Sequence, residues 1–312
     1  MTTTDAHPAA TTPLRGFHHR DFDLAQLLAA KGPSVVSVCL PARNEAGTVG
    51  AIVETIHRDL VEGGLVDEVI VIDDHSTDGT AEVAAAEGAK VVDAATTLPE
   101  YGTGHGKGEV LWASLFAAEG DLVVWCDSDI TGFGSHFVTG LLGPLLCEPD
   151  VDFVKGHYRR PERDREGGGR VTELVARPAL SLCFPELAPL QQPLSGEYAG
   201  RRSVLEQLPF VGGYGVDIGL LIDLARTRGT RGIVQVDLDM RLHRNRPLTE
   251  LGPQAAAILQ TVLRRADPDL LPALSTLVGA DGARSDLAFT ERPPMVHVPA
   301  YRRRHPSAPS GD

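Results

Sequence analysis

Short apolar runs alternate with helix-forming segments over the first 130 residues, and this alternation limits the fold more than any other feature of the chain. The runs occupy residues 34–40, 67–74, 89–94 and 121–126. The segments between them carry apolar residues at helical spacing or have a helix-forming composition. Strands that alternate with helices in this way form parallel sheets. The sequence therefore predicts an α/β fold with a mainly parallel sheet flanked by helices.

Polar residues directly follow three of these four strands. "PARNE" comes after the first strand, "DDHSTDGT" after the second and "DSD" after the fourth. In open α/β sheets, ligands bind at the carboxyl ends of the strands. We therefore expect these side chains to meet at one edge of the sheet and to form a ligand site there.

The fourth strand ends in two carboxylates, Asp127 and Asp129, that are separated by one serine. Residues two apart in a strand point to the same side, roughly 7 Å apart along the chain. Like charges this close repel, so a divalent cation between or beside them is an economical explanation. Such a cation would neutralise a departing diphosphate. The alternative is a solvated turn in which Asp127 caps the next segment.

Two further segments add candidate ligand residues. The acid pair Asp73–Asp74 follows the second strand, where an acid can hold a ribose or a base edge, although capping of the next helix is an alternative. The glycine-rich loop 100–109 contains Lys107. Glycines permit close backbone approach, and a lysine among them can contact a phosphate. The loop matches neither the Walker motif nor the dinucleotide fingerprint, so it is weak evidence alone.

Composition limits the partners and the compartment. The formal net charge of −13 argues against nucleic acid as a partner. No stretch of about 18 apolar residues predicts a membrane span, and the N-terminus lacks the pattern of a secretory signal. The four cysteines show no metal-type spacing and fit a reducing cytoplasm.

The chain resembles the actinobacterial glucosyl-3-phosphoglycerate synthases over roughly residues 15 to 300, in the motifs "CLPARNEAGTVG", "VIDDHSTDGT", "GKGEVLWASLFAAEGDLVVWCDSDI", "FVKGHYRR", "GGGRVTELVARPAL", "PLSGEYAGRR", "FVGGYGVDIGLLID" and "RLHRN". These are retaining glycosyltransferases of the GT-A fold, related to the mannosyl-3-phosphoglycerate synthases. The resemblance implies a cytoplasmic homodimer that transfers glucose from UDP-glucose to D-3-phosphoglycerate, on the route to glucosylglycerate and methylglucose lipopolysaccharides.

The chain is expected to divide into four parts. Residues 1–15 are expected to be a disordered arm, and 16–150 the nucleotide-sugar-binding α/β half. Residues 151–300 are expected to be the acceptor-binding half of the same GT-A unit, with a helical C-terminal part. Residues 301–312 are expected to be a disordered tail.

Site residues follow from the resemblance position by position. The uridine and ribose are expected near Pro41, Ala42, Glu45 and Asp74. Further donor contacts are expected from Lys107, Asp127, Ser128, Tyr214, Asp217 and Arg241. The phosphate and carboxylate of the acceptor are assigned to Gly169, Arg170, Val171, Thr172 and Asn245. Asp129 and His243 are expected to hold a divalent cation, with Mg²⁺ first and Mn²⁺ or Co²⁺ as alternatives. Asp217, Lys107 and Asp129 are the expected catalytic residues.

The acceptor segment also has a physical rationale of its own. In "EGGGRVTE", residues 169–172 begin a helix, and its free amide groups together with Arg170 attract a phosphate. Further arginines predict a local positive zone on this acidic protein, namely Arg159, Arg160, Arg163, Arg165, Arg244 and Arg246. The alternative to a phosphate site in this stretch is a mobile charged loop. The alternative to a metal ligand at His243 is a histidine with a structural hydrogen bond.

One position departs from the family pattern. Asp217 stands in "GYGVDIGLL" where a glutamate is expected, so its carboxylate is one methylene shorter. If that carboxylate contacts the hydroxyls of the transferred sugar, its reach or the donor preference changes. The alternative is a buried acid at a helix start, which the helix N-terminus would stabilise.

We expect same-face attack, because the sequence offers no obvious nucleophile beyond Asp217. The rival functions make different predictions. A mannosyl-3-phosphoglycerate synthase would use GDP-mannose instead. A polyprenyl-phosphate sugar transferase predicts a membrane anchor, and a sugar-1-phosphate nucleotidyltransferase predicts an N-terminal glycine-rich signature that "LPARNE" lacks. A non-catalytic nucleotide-sugar sensor predicts damaged metal or acceptor residues, yet Asp129, His243, Arg170 and Asn245 are present.

Overall fold

The computed structural model describes residues 14–162, 165–166, 169–242, 251–270, 276–279 and 282–306. The strands in this part of the chain are β1 Arg15–His18, β2 Val36–Ala42, β3 Glu68–Asp73, β4 Lys90–Asp93, β5 Leu122–Trp125, β6 Phe153–Arg159, β7 Pro161–Glu162, β8 Arg165–Glu166, β9 Tyr198–Arg201, β10 Phe210–Val211, β11 Ile233–Met240, β12 Thr276–Val278, β13 Arg284–Asp286 and β14 Glu291–Arg292. The α-helices are α1 Leu24–Lys31, α2 Val49–Ile56, α3 Thr80–Ala86, α4 Lys107–Ala117, α5 His136–Cys147, α6 Arg177–Cys183, α7 Arg202–Leu205, α8 Val216–Arg228, α9 Leu251–Ala266 and α10 Pro299–Arg304.

One eight-stranded sheet organises the described residues, in the order β1-β11-β6-β9-β5-β2-β3-β4. Its neighbouring strands are parallel except at β9, which runs antiparallel to both β5 and β6. The four strands predicted from the first 130 residues are β2, β3, β4 and β5. The predicted fold class, a mainly parallel sheet flanked by helices, is confirmed.

The alternation of side chains along β3 explains how the sheet is covered on both faces. Ile70 and Ile72 point into one core cluster, which also contains Trp112 of α4. Val69 and Val71 point into the opposite cluster, which also contains Ile52 of α2. Successive residues of a strand face opposite sides of the sheet. A strand buried on both faces therefore reads as a continuous apolar run, as strands of parallel sheets do.

The two predicted halves share this one sheet. Strands β6 and β11 come from the segment 151–300, whereas β1 comes from the start of the chain and pairs in parallel with β11, with Arg15 opposite Val234. The antiparallel strand β9 joins β5 of the first half to β6 of the second. Strands from both predicted halves therefore lie side by side in the same sheet.

The chain ends differ from the prediction. The predicted arm includes Arg15, which instead begins β1, because its backbone pairs with β11. The predicted tail begins at Tyr301, which instead lies within α10 and is fully buried. Its hydroxyl donates to Glu206 Oε2 at 2.5 Å and accepts from Arg202 Nη1 at 3.2 Å. Burial of this ring offsets the polarity of the three arginines that follow it.

Candidate active site

A cavity of about 480 Å³ opens at the carboxyl ends of the central strands. Ala42 at the end of β2, Asp74 after β3 and Asp127 after β5 line it, as do Lys107 and Asp217 from the first turns of α4 and α8. The polar residues that follow three predicted strands therefore meet at one edge of the sheet, as the sequence indicates.

Most of the predicted site residues line this one cavity: Pro41, Ala42, Glu45, Asp74, Lys107, Asp127, Ser128, Asp129, Gly169, Arg170, Val171, Thr172, Tyr214, Asp217 and Arg241. His243 and Asn245 lie outside the described residues, and so do Arg163, Arg244 and Arg246. Arg160, from the predicted basic zone, also lines the cavity. Whether these residues bind donor, acceptor and metal as assigned stays a prediction.

Sequence reasoning gave no role to several residues at the site. Arg43, Leu194 and Gln254 line the cavity. Glu197 and Tyr198 lie beneath it and are completely buried. The sequence gives only a weak signal that Glu197 and Tyr198 are buried at the site. Glu197 precedes the short strand β9, and no alternation of apolar and polar residues there places the glutamate on a solvent-exposed face.

Arg241 explains how the carboxylates after β5 coexist. Its guanidinium donates to Asp127 Oδ2 at 3.0 Å and to Asp129 Oδ1 at 2.5 Å. It also lies 2.8 Å from Oε1 of the buried Glu197. Burial of Arg241 would lower its pKa, but the surrounding acids outweigh burial and hold the pKa well above its usual value. A permanent cation therefore offsets three carboxylates.

Lys107 supplies a second positive charge on the opposite side of Asp127. Its ammonium lies 3.3 Å from Asp127 Oδ1 and 3.2 Å from Asp217 Oδ1. Burial would lower the pKa of Lys107, but the two carboxylates raise it overall. Burial would likewise raise the pKa of Asp127, but Lys107 and Arg241 lower it overall. Lys107 and Asp127 are therefore both ionised near neutral pH.

The glycine-rich loop has a steric explanation at two positions. Gly106 precedes helix α4 with a φ of 88°, a conformation that other residues rarely adopt. A Cβ at Gly108 would lie 1.9 Å from the carbonyl oxygen of Val211. Glycine at these positions lets α4 approach β10 and brings Lys107 to the floor of the cavity. The helix starts at Lys107, three residues earlier than the predicted loop 100–109 allows.

Asp74 is also tied to the glycine loop. Its carboxylate is buried, accepts from the Gly106 amide at 3.0 Å and lies 3.0 Å from His75 Nδ1. Capping, the alternative considered for this segment, describes its neighbours: Asp73 accepts from the Ser76 amide at 3.2 Å, and Asp78 accepts from the Thr80 amide at 3.1 Å. Asp74 is thus the acid of the segment that faces the cavity.

Asp217 is held on two sides although it is shorter than the expected glutamate. The Tyr198 hydroxyl donates to its Oδ1 at 2.9 Å, and the Lys107 ammonium donates to its Oδ2 at 3.4 Å. It lies in the first turn of α8, where the helix dipole favours a negative charge. Its carboxylate therefore has a defined orientation at the cavity wall.

The segment assigned to the acceptor forms another wall of the cavity. Gly169, with a φ of 72°, precedes a helical turn in which the Glu173 amide donates to the Gly169 carbonyl at 2.8 Å. Arg170, Val171 and Thr172 line the cavity at this helical start. Backbone amides at a helix start and an arginine are groups that recognise phosphate.

A second group of metal-type residues lies away from the cavity. His18 and His19 both contact Asp239, at 3.4 Å and 2.8 Å from their Nε2 atoms. However, His18 Nδ1 accepts a hydrogen bond from the Arg20 amide at 3.2 Å, which leaves the ring proton on Nε2. Arg20 also donates to Asp239 Oδ2 at 2.6 Å. This cluster is a set of donors around one carboxylate rather than a cation site.

A model described as glycosyl transferase family 2 matches residues 37–208. The chain belongs to this family. It is 50% identical over 283 residues to the glucosyl-3-phosphoglycerate synthase of Mycolicibacterium smegmatis, an alignment that covers 88% of this chain and 93% of that protein. It is 43% identical over 311 residues to that of Petrotoga mobilis, covering 93% and 96%.

Solved structures show the same relationship. A glucosyl-3-phosphoglycerate synthase of Mycobacterium tuberculosis in complex with Mn²⁺, UDP-glucose and phosphoglyceric acid has a TM-score of 0.83 and 45% identity, covering 91% of this chain and 98% of that one. A mannosyl-3-phosphoglycerate synthase from Rubrobacter xylanophilus has a TM-score of 0.83 and 37% identity, covering 91% and 97%. The family resemblance stated from the sequence is confirmed, and the protein is a glycosyltransferase.

The described residues also bear on the membrane-anchored rival. No helix among them is long and apolar enough to span a bilayer.

Proposed function

We propose that this protein transfers glucose from UDP-glucose to D-3-phosphoglycerate, with retention of the anomeric configuration, and that it depends on a divalent cation. One observation carries the proposal: the assigned donor residues, and the assigned acceptor residues other than Asn245, line a single cavity. The relatives named glucosyl-3-phosphoglycerate synthase, including one solved with UDP-glucose and phosphoglyceric acid, support the same pair of substrates.

The chemistry of the cavity suits a cation next to the donor diphosphate. The Asp129 side chain is 45% exposed at the cavity, and its Oδ1 is the oxygen that accepts from Arg241, so Oδ2 is the candidate ligand for an ion. Carboxylate oxygens suit Mg²⁺ and Mn²⁺. Asp129 would hold the ion together with His243, and a bound ion would offset the charge of the diphosphate as it leaves. We propose Mg²⁺ first; the Mn²⁺ in the Mycobacterium tuberculosis structure supports a divalent ion in general.

The side chains around the cavity support a same-face transfer. The bond between C1 of the glucose and the diphosphate oxygen breaks, and C1 bonds to the acceptor hydroxyl oxygen on the same face. The hydroxyl proton passes to the departing diphosphate. Lys107 would lie beside the departing diphosphate and would stabilise the negative charge that develops on it. Asp217 is already bound by Lys107 and Tyr198, which supports a role in holding the sugar rather than in attacking it.

The acceptor would be bound by groups on the second wall. Arg170 and the backbone amides at the start of the helical segment are proposed to bind the acceptor phosphate, and Thr172 and Asn245 are proposed as further acceptor ligands. Arg160, which lines the same wall, adds positive charge. These groups would give an acidic protein a local site for an anionic acceptor.

The test is to identify the product when the protein is incubated with 3-phosphoglycerate and one of three donors, UDP-glucose, GDP-glucose or GDP-mannose. Each mixture is run with Mg²⁺, with Mn²⁺ and with a chelator. We expect glucosyl-3-phosphoglycerate from UDP-glucose, retained configuration, and loss of turnover in the chelator. The similarity to the Rubrobacter mannosyl-3-phosphoglycerate synthase makes GDP-mannose an alternative donor. A mannosyl product from GDP-mannose would refute UDP-glucose as the donor. Binding without turnover would indicate a non-catalytic protein.

We also propose a homodimer that works in the cytoplasm and feeds glucosylglycerate and methylglucose lipopolysaccharide synthesis. Two large apolar side chains support a protein contact, because Leu174 is 73% exposed and Leu182 is 85% exposed on the same helical stretch. Light scattering after size-exclusion chromatography gives the subunit count. A monomer in wild type, or a dimer unaffected by Leu182→Glu, would contradict this contact.

A further inference from the structure

Lys155 is a buried charge that the proposed reaction does not use. It lies in β6 and is 2% exposed. Its ammonium donates to the carbonyl oxygen of Ser195 at 2.9 Å and lies 4.1 Å from the centroid of the Tyr198 ring. Burying an ammonium is costly unless it is paired, so the contact with this ring calls for an explanation beyond packing.

Tyr198 connects this lysine to the cavity. In the sheet, Tyr198 of β9 pairs with Lys155 on one side and with Trp125 of β5 on the other. Its hydroxyl reaches Asp217, and the Lys107 ammonium lies 5.8 Å from the centroid of the same ring. A continuous series of contacts therefore runs from Lys155 through Tyr198 to Asp217.

The surroundings of Tyr198 leave its hydroxyl little freedom. Its ring lies 5.3 Å from the ring of Trp125 and 5.6 Å from that of Phe153, centroid to centroid. Strand pairing on both sides fixes its backbone. A cation over the ring face is attracted to the π-electrons, and by drawing on them it makes the phenol a stronger hydrogen-bond donor. Lys155 therefore both fixes the ring and strengthens the bond to Asp217.

We propose that Lys155 and Tyr198 are positioning residues for Asp217, and that together they fix its carboxylate toward the hydroxyls of the transferred hexose. This inference rests on the proposed function, because it needs a hexose at that position. The shorter side chain of Asp217 makes positioning more important, since an aspartate has one fewer rotatable bond with which to correct its reach. A displacement of a binding group near 1 Å is enough to lower catalysis by about 100-fold.

The experiment compares binding of UDP with binding of UDP-glucose, both with Mn²⁺ and without acceptor, and then measures kcat and KM. The variants are Tyr198→Phe and Lys155→Met. Tyr301→Phe is the matched control, because Tyr301 is also a buried tyrosine bonded to a carboxylate, but that carboxylate belongs to Glu206, which does not line the cavity as Asp217 does. Calorimetry gives the affinities and thermal unfolding gives Tm.

We expect UDP affinity to stay within about twofold of wild type in Tyr198→Phe, because Asp217 is proposed to contact the hexose rather than the nucleotide. The extra affinity that glucose provides should be lost, and kcat should fall about 10–100-fold, the range for one hydrogen bond to a charged group. Lys155→Met should change binding in the same direction without lowering Tm, since it removes a buried charge. Tyr301→Phe should leave both affinities and kcat unchanged.

Two outcomes would overturn the inference: Tyr198→Phe with kcat and glucose-dependent affinity within twofold of wild type, or equal weakening of UDP and UDP-glucose. If Lys155→Met fails to fold, Tyr198→Phe still decides. Failure of the proposed function is a separate result, because it shows in the wild type itself as no binding preference for UDP-glucose over UDP and no glucosyl product.

Discussion

Replacement of Arg241 by methionine tests the electrostatic design of the site. Arg241 is almost completely buried and contacts three acids, Asp127, Asp129 and Glu197. Removing one partner of a buried ion pair costs about 3–5 kcal/mol, because the other charge is left uncompensated. At about 2.1 cal/mol/K per residue, a chain of 312 residues unfolds with an entropy near 0.65 kcal/mol/K. The expected fall in Tm is therefore about 5–8 °C.

The charge that Arg241 leaves behind identifies the cause. Burial raises the pKa of Glu197, and Arg241 opposes that rise. Without Arg241 the folded-state pKa of Glu197 rises further above its unfolded value. Such a group stabilises the fold below its unfolded pKa, and this stabilisation is lost as pH rises through the folded pKa. The difference in Tm between wild type and Arg241→Met should therefore be smaller at pH 5 than at pH 8.

A double variant supplies the control. Glu197→Gln removes the buried charge with almost no change in volume, so Arg241→Met combined with Glu197→Gln should regain much of the lost Tm. Differential scanning calorimetry of the four proteins at both pH values completes the double-mutant cycle. A Tm for Arg241→Met within 1–2 °C of wild type, or no recovery in the double variant, would refute the reasoning.

The remaining predictions concern the cation, the acceptor, the glycine loop and the buried lysine. Asp129→Asn should weaken Mn²⁺ binding and lower kcat, measured by calorimetry and by turnover against metal concentration, whereas equal metal dependence in variant and wild type would contradict the ligand role. Arg170→Met should raise KM for 3-phosphoglycerate about 10–100-fold with little change for UDP-glucose, and equal changes for both substrates would contradict the assignment. Gly108→Ala should lower Tm and kcat, because the added Cβ would overlap the Val211 carbonyl. Gly47→Ala, with nothing within 4 Å of its Cβ, should lower neither. Equal Tm values for the two variants would contradict the steric explanation. Burial lowers the pKa of Lys155 to about 8, below its unfolded value. The free energy of unfolding should therefore rise between about pH 8 and 10 while kcat falls. Lys155→Met should flatten both pH profiles, and profiles identical to those of wild type would contradict a role for this lysine.

The strand-end residues were predictable because their surroundings are local. Asp127 and Asp129 follow an apolar run, and parallel strands bring their carboxyl ends to one edge whatever the rest of the chain does. The glycines around Lys107 were recognised as allowing close backbone approach, but helix α4 begins at Lys107, inside the stretch predicted as a loop. Physical reading alone left a cation and a capped turn as alternatives for the two acids; the family resemblance, not the spacing, favours the cation.

The contacts beneath the cavity could not be predicted from local pattern. Arg241 reaches Asp127 across 114 positions of the chain, and Tyr198 reaches Asp217 from an antiparallel strand inserted into a parallel sheet. Such an insertion breaks the strand–helix alternation on which the prediction relies, and that alternation was recognised only over the first 130 residues. The prediction that Tyr301 belongs to a disordered tail was wrong. The three arginines that follow it make the segment polar in composition, although the Tyr301 ring itself is buried.

The strand β9 has a consequence for how the chain can change length. Its side chains alternate, so that Tyr198 belongs to one core cluster and Ala199 to the other. A single added residue between Ser195 and Tyr198 would rotate every following side chain to the opposite face. It would withdraw the hydroxyl from Asp217 and the carboxylate of Glu197 from Arg241 in one step. We therefore expect natural insertions and deletions to be absent from this short stretch, even where individual residues differ.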